Sequence, residues 1–349
     1  MTNPKSEVPA LVVTLVVMIA ILGGGFWFLK DRISLGGLLG GTQNAEENPT
    51  AAGNPPLTSA NFSGVDIPAG EFLYGGSTTW APIRGIAAPV IQSSLPDFSL
   101  LYTESPNQAP GSGVGIQMLI SGELSFAQSS RPVSAAERQQ ATQQGVTLRE
   151  IPVAMESVAA ATHPDLPLAG LTLSQLADIY TGQVTNWNQV GGPDLAVVPT
   201  TRAEQGGTVQ YFQEKVLNGQ AFSASVQTQP TTTVAIRFVS DTPGAIYYAS
   251  APELVGQCTV APLPIGTDPR ELIPPYQLPY VPPQNCPAQR NQLNMQAIQD
   301  QSYPLTRPIY VVVRQGDPNS EAPGTAYAQI LQTDDGKRLL NEAGFVAIQ

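Results

Sequence analysis

At 349 residues with a 42% hydrophobic fraction, the chain can bury a large core as one big domain or two medium ones. Only 12% of its residues are charged, and 32 Gly and 33 Pro suit a loop-rich extracytoplasmic protein better than a cytosolic helical one. A formal net charge of −11 argues against non-specific nucleic-acid binding but leaves room for a small anion held by local dipoles and one or two Arg.

Residues 8–29 carry no charged side chain, a run about long enough to cross a bilayer. Trp27 and Phe28 stand where interfacial aromatics belong, and Lys30 and Arg32 close the run. A cleaved signal peptide is the alternative. The run is long for a signal core, however, and no small-x-small cleavage site follows. No Cys near residue 30 offers a lipid attachment point. The reading is an uncleaved anchor over residues 1–33, with the rest of the chain on the periplasmic or extracytoplasmic side of the plasma membrane. Residues 34–69, rich in Gly, Asn, Pro, Thr and Ala, read as a flexible tether, with the folded part beginning near Gly70.

The pattern then predicts strands and helices in alternation. A strand over 71–74 runs into Gly75-Gly76-Ser77-Thr78-Thr79-Trp80 and an apolar helix over 81–90. A strand over 98–102 is followed by Pro110-Gly111-Ser112-Gly113 and a second helix start. A short strand over 124–127 ends in Ser129-Ser130-Arg131-Pro132, and a helix over 134–144 follows. Strands are expected over 148–153 and 157–162, and a helix over 173–180. His163, the only histidine, sits in an Asp/Pro turn and reads as a turn residue. A strand over 197–200 leads through Arg202, Glu204, Gly206, Gly207 and Thr208 into a helix over 209–217. Residues 241–246 form a turn feeding a strand, 309–313 a further strand, and 327–331 and 335–343 the closing helices. Such alternation predicts mostly parallel sheets with flanking helices, and ligands beyond the carboxyl ends of the strands.

Cys258 and Cys286, the only cysteines, lie in an irregular, proline-dense segment over 252–304. Two free thiols are one reading. A disulfide closing that loop in an oxidising compartment is the better one. One His and two Cys make no usual zinc site, and nothing in the chain calls for a metal or cofactor.

Three turns share one chemistry: Ser77-Thr78-Thr79, Gly111-Ser112-Gly113 and Gly206-Gly207-Thr208 each precede a helix. The first N–H groups of a helix have no intrahelical partner and carry the positive end of its dipole. With a hydroxyl beside each, three such ends can surround a tetrahedral oxyanion. Arg202 and Arg131 would add charge and planar donor forks. The glycines are not followed by the Gly-Lys-Ser/Thr of a P-loop.

These pieces, with Leu171-Thr172-Leu173 to Asn186-Trp187 and Thr242-Pro243-Gly244-Ala245-Ile246, stand in the order and spacing that resembles the phosphate-binding proteins of phosphate ABC importers. The resemblance covers residues 70–250 and, more loosely, 300–349. It implies an α/β, two-lobed type II periplasmic binding protein fold, here preceded by a transmembrane helix. Its parts would be lobe I over 70–153, lobe II over 154–249, and a return to lobe I over 250–349 that carries the 252–304 insertion. It implies phosphate ligands at Ser77, Thr78, Thr79, Ser112, Ser130, Arg131, Arg202, Gly206, Gly207 and Thr208, and no catalysis. Its partners would be inorganic phosphate, a permease and that permease's cytoplasmic ATPase. Some family members carry Asp where Ser130 stands, and often Ser where Gly206 stands. Sulfate or molybdate as the anion, and a tethered sensor or scaffold in place of a transport component, are the alternatives.

Overall fold

The computed structural model describes residues 60–202 and 206–348. The expected anchor over 8–29, most of the tether and Glu204 lie outside the described residues. Among the described residues, no helix is long and apolar enough to cross a membrane.

The fold grows from β1 (Gly70–Gly76), which pairs in parallel with β2 (Phe98–Tyr102) on one side and β3 (Phe126–Ser129) on the other. Beyond β3 come β11 (Thr306–Arg314) and the 15-residue β4 (Leu148–Thr162), both antiparallel to their neighbours. β4 then serves a second group, pairing with β8 (Ala245–Ser250), which runs parallel to β6 (Val198–Arg202), itself parallel to β7 (Gln227–Gln229). The strand order is therefore β2-β1-β3-β11-β4-β8-β6-β7.

The sheets are mixed rather than mostly parallel, and the reason is topological. Within each lobe, strands joined by crossover helices run parallel. β4 carries the chain out of the first lobe and β11 brings it back, so the two must run antiparallel. The expected strands over 148–153 and 157–162 are one continuous strand. Ser157 still pairs with Thr306 of β11, and Val158 already pairs with Ser250 of β8. That pair of residues marks the handover between lobes.

Each lobe has its own core. In the first, Trp80, Phe98, Phe126, Tyr327 and Leu339 are fully or nearly fully buried together. In the second, Tyr180, Trp187, Phe212 and Tyr248 are, with the Phe212 and Tyr248 rings stacked at 3.7 Å. Burying each such side chain contributes roughly 1.5–3 kcal/mol before conformational entropy is subtracted. The motif residues Tyr180 and Trp187 are scaffold. Tyr180 Oη donates to the Thr200 and Ile246 carbonyls at 3.0 and 3.2 Å, and Trp187 Nε1 donates to the Gly244 carbonyl at 3.0 Å.

The last part of the tether is already folded onto the first lobe: Phe62 is buried in its core, and Asn61 N donates to Asp335 Oδ2 at 2.8 Å. The segment over 252–304, expected as an insertion, packs mainly on β4, on β5 and on the second core. Its β9 (Ala261–Pro262) pairs with β4, its β10 (Ile265–Gly266) pairs with β5 (Leu171–Thr172), and Leu263, Ile265, Ala297 and Tyr303 join the second core. Cys258 and Cys286 are joined there by a disulfide, with Cα atoms 5.6 Å apart. The helices over 327–331 and 335–343 are longer or shifted, at Pro318–Gln332 and Asp334–Glu342, and the short β12 (Val346–Ala347) closes on β4.

Candidate functional site

The three glycine-hydroxyl turns meet. Ser77 caps the 3-10 turn Thr78–Trp80, accepting from Thr79 N at 3.3 Å, and that turn runs into the helix Ala81–Ser94. The turn is held from below, where the Trp80 indole N–H donates to the Ser129 carbonyl at 3.1 Å. Gly76 sits at φ +120, and a Cβ there would stand 2.4 Å from the Gln128 carbonyl oxygen, so only glycine lets β1 deliver Ser77 so close to β3. Ser112 opens the helix Ser112–Ser121, and Gly207 opens the helix Gly207–Lys215 from the other lobe.

Hydroxyls from both lobes come into contact here. Ser77 Oγ donates to Ser130 Oγ at 3.1 Å, the Ser130 and Ser112 hydroxyls lie 3.2 Å apart, and Ser130 N donates to Ser112 Oγ at 3.1 Å. Across the lobes, the Thr79 and Thr208 hydroxyls are 3.3 Å apart. A Cβ on Gly207 would stand 2.4 Å from both Ser112 Oγ and Ser130 Oγ, so the second lobe's helix end lies against the first lobe's serines.

Ser77, Thr78, Thr79 and Gly111 of the first lobe and Arg202, Gly206, Gly207 and Thr208 of the second line one small pocket. Arg202, at the end of β6, donates through Nη1 to the hydroxyls of Thr78 and Thr232 at 3.3 and 3.4 Å. Its buried Nε has no hydrogen-bond partner among the described residues. A guanidinium bonded only to hydroxyls keeps its charge available for an anion.

Arg131 has an acidic partner, unlike Arg202. Its two Nη atoms donate to the two Glu137 carboxylate oxygens at 2.8 and 2.7 Å, its Nε donates to Gln210, and its charge is thereby neutralised beside the turn. Burial pushes the Glu137 carboxyl up, but the hydrogen bonds from Arg131 and Ser134 outweigh it and hold it below the ordinary range. With Nη1 also donating to the Pro132 carbonyl at 2.8 Å, these bonds take four of the five guanidinium N–H groups and leave one on Nη2.

Residues the sequence did not single out complete the site. Arg307 of β11 is 3% exposed and its partner Glu156 of β4 fully buried; Arg307 Nε donates to Glu156 Oε1 at 2.7 Å. The rest of its fork reaches the Gly207 carbonyl at 3.0 Å and the Thr208 and Thr79 hydroxyls at 2.8 and 3.4 Å. Burial pushes the Glu156 carboxyl up, opposed by the Arg307 charge and by hydrogen bonds from Ser250 and Arg307. Thr232, Tyr247 and Glu253 also line the pocket. Thr232 opens the helix Thr232–Asp241, which the hydropathy pattern did not reveal. His163 is the turn residue expected, its Nδ1 accepting from Asp165 N at 3.2 Å.

A family model described as PBP superfamily domain matches residues 45–334. The chain is 27% identical over 190 residues to the phosphate-binding protein PstS of Bacillus subtilis (strain 168), covering 54% of this chain and 60% of that protein, less than two thirds of its length. It is 24% identical over 287 residues to the phosphate-binding protein PstS of Staphylococcus epidermidis (strain ATCC 12228), covering 78% of this chain and 82% of that one. Among solved structures, it resembles a putative phosphate ABC transporter substrate-binding protein with bound phosphate from Clostridium perfringens, with a TM-score of 0.64, 23% identity, and coverage of 80% of this chain and 100% of that chain. An ABC-type phosphate transport receptor from Vibrio cholerae matches with a TM-score of 0.58, 22% identity, and coverage of 79% and 99%. At these identities the structural likeness establishes the two-lobed fold.

Proposed function

The chain belongs to the PBP superfamily, and on that premise we propose that it is an extracytoplasmic binding protein that closes on inorganic phosphate and delivers it to an ABC permease driven by a cytoplasmic ATPase. The observation that carries the reading is the convergence of hydroxyls from both lobes around Arg202, which among the described residues is hydrogen-bonded only to hydroxyls. The proposed ligands are Ser77, Thr78, Thr79, Ser112, Ser130, Arg131, Arg202, Gly206, Gly207 and Thr208. Arg131, held by Glu137, keeps one Nη2 N–H for the anion. The names of the PstS relatives support phosphate as the ligand and binding, not catalysis, as the activity.

Lobe I is proposed to comprise residues 60–157 with 306–348, and lobe II residues 158–305. The disulfide supports an oxidising, extracytoplasmic location. Attachment through residues 1–33 completes the proposal. A second reading, sulfate, is favoured by the purely hydroxyl character of the Ser129-Ser130 turn, which carries no carboxylate to receive a phosphate proton.

Calorimetry and thermal shift with phosphate, sulfate and molybdate test the reading. A ligand at about 100 times its dissociation constant adds about 2.7 kcal/mol of stability, a visible shift. Arg202→Ala removes a charge-assisted donor and should weaken phosphate binding by roughly 1.5–3 kcal/mol, about ten- to a hundredfold. Parental affinity in Arg202→Ala would end the assignment.

A further inference from the structure

The guanidinium groups that touch the meeting turns are of two kinds. Arg131 is paired with Glu137, and Arg307 with Glu156. Arg202 is bonded to hydroxyls and has no carboxylate partner. Arg84, in the first turn of the helix Ala81–Ser94, also makes no ion pair among the described residues.

Arg84 meets the Ser77 turn on its carbonyl side. Its Nη1 donates to the Ser77 carbonyl at 3.2 Å and to Gln128 Oε1 at 2.9 Å, and its guanidinium carbon stands 4.0 Å from the centre of the Tyr102 ring. The buried Gln128 amide is fixed from its other end, where Nε2 donates to Tyr327 Oη at 3.0 Å. These partners are all neutral, so the cation is held in place and its charge left uncompensated. Glu104, whose charge acts on Tyr102, is exposed and forms no ion pair with Arg84. In local terms the place is a poor one for a cation. The first turn of a helix carries the positive end of its dipole, and this turn holds no acidic residue. A half-buried cation that opposes a helix dipole and lacks a carboxylate is a local conflict, and such conflicts belong to functional sites.

The Ser77–Thr78 peptide links Arg84 to the pocket. In a trans peptide the carbonyl and the N–H point in opposite directions. A donor that holds the Ser77 carbonyl therefore turns the Thr78 N–H the other way, and Thr78 lines the pocket. Thr78 is the first residue of its 3-10 turn, so that N–H has no acceptor within the turn. We propose that Arg84 is a positioning residue of the anion site and, with Arg202, its uncompensated positive charge. Acting through the Ser77–Thr78 peptide, it aims the Thr78 N–H at the bound phosphate and sets a cation behind it. The inference rests on the phosphate reading given above and deepens it. Hydrogen phosphate is a dianion, and Arg202 alone matches only half of its charge. Glu253, which also lines the pocket, is pushed up by burial to about 7, so near neutral pH its charge offsets part of what Arg202 supplies. Arg84 makes up the difference without entering the pocket.

The test is calorimetry with inorganic phosphate on the parent, Arg84→Gln and Arg84→Lys, with thermal unfolding of each in the absence of anion. Arg84→Gln keeps a donor for the Ser77 carbonyl and removes the charge, and should weaken phosphate binding about tenfold. Its ligand-free midpoint should move little, because the lost cation opposed the helix dipole. Both hydrogen bonds of Arg84 leave from Nη1, so a lysine ammonium can take them over. Arg84→Lys should therefore restore affinity to within about threefold of the parent, a rescue that scaffolding alone does not predict. Parental affinity in Arg84→Gln, or the same loss in the Lys and Gln variants, overturns this inference while leaving phosphate binding by the parent intact. A parent that shows neither binding heat nor a thermal shift with phosphate overturns the phosphate reading itself, and this inference with it.

Discussion

Gly207 shows how a single residue can set the distance between lobes. Its missing side chain is what allows the second lobe's helix end to rest against Ser112 and Ser130, where a Cβ would stand 2.4 Å from each hydroxyl oxygen. Gly207→Ala is therefore expected to weaken phosphate binding by about five- to 150-fold by holding the lobes apart, since over-packing a tight contact costs roughly 1–3 kcal/mol. The ligand-free thermal midpoint should hardly move, because each lobe keeps its own core. Calorimetry and thermal unfolding check the two halves, and unchanged affinity would mean that the close approach does not belong to the anion-bound state. The sequence made Gly207 and Arg202 legible because they stand in one short glycine-hydroxyl turn. Arg307 was illegible there. It lies inside the β-prone run Thr306–Arg314, and its partner Glu156 is 151 positions away, a pairing that only the fold creates. Arg131 was legible as a charge beside the turn, but its orientation is set by Glu137 in the next helix.

At the scale of elements, the capping chemistry and the site chemistry use the same residue types, so sequence found the helix starts more readily than it separated their roles. Ser134 caps the helix Ala135–Gln143 in a capping box with Glu137, and that same Glu137 holds Arg131 beneath the anion turn. A helix cap and the proposed site are thus mechanically joined through one carboxylate. Because the folded-state pKa of Glu137 lies below its ordinary value of 4.5, its contribution to stability is complete above that value and is lost as pH falls through the folded one. Glu137→Gln should be less stable than the parent at neutral pH, by about 3–5 kcal/mol if Arg131 is left buried and unpaired. The gap should close on acidification below the ordinary glutamate range, as read by chemical denaturation at a series of pH values. A gap that persists unchanged in acid would place the effect in packing and not in charge. The helix Thr232–Asp241 escaped sequence reading because its first turn, Thr232-Thr233-Val234, is β-branched and its propensity favours a strand. Tertiary packing of Ala235 and Val239 overrides that preference.

At the scale of the whole molecule, the buried Arg307–Glu156 pair sits where the lobes join. Glu156 is one residue before the Ser157–Val158 handover on β4, and Arg307 pairs directly across from it on β11. The pair thus links the two strands that cross between lobes, while the guanidinium also reaches Gly207 and Thr208 in one lobe and Thr79 in the other. A buried ion pair is a weak source of net stability but a costly thing to break, because the surviving charge has no water and no partner. Arg307→Ala should therefore destabilise the protein by about 3–5 kcal/mol, and adding Glu156→Gln should recover much of that loss by removing the stranded charge. Affinity should behave differently. The double variant still lacks the guanidinium that ties Thr208 and Thr79 together across the lobes, so its phosphate binding should stay weaker than the parent's even as its stability returns. Denaturation and calorimetry on the four proteins of the cycle separate the two. If stability and affinity recover together, Arg307 serves only to neutralise Glu156 at the crossing strands. If stability recovers alone, the hinge pair also holds the closed, anion-bound arrangement of the lobes.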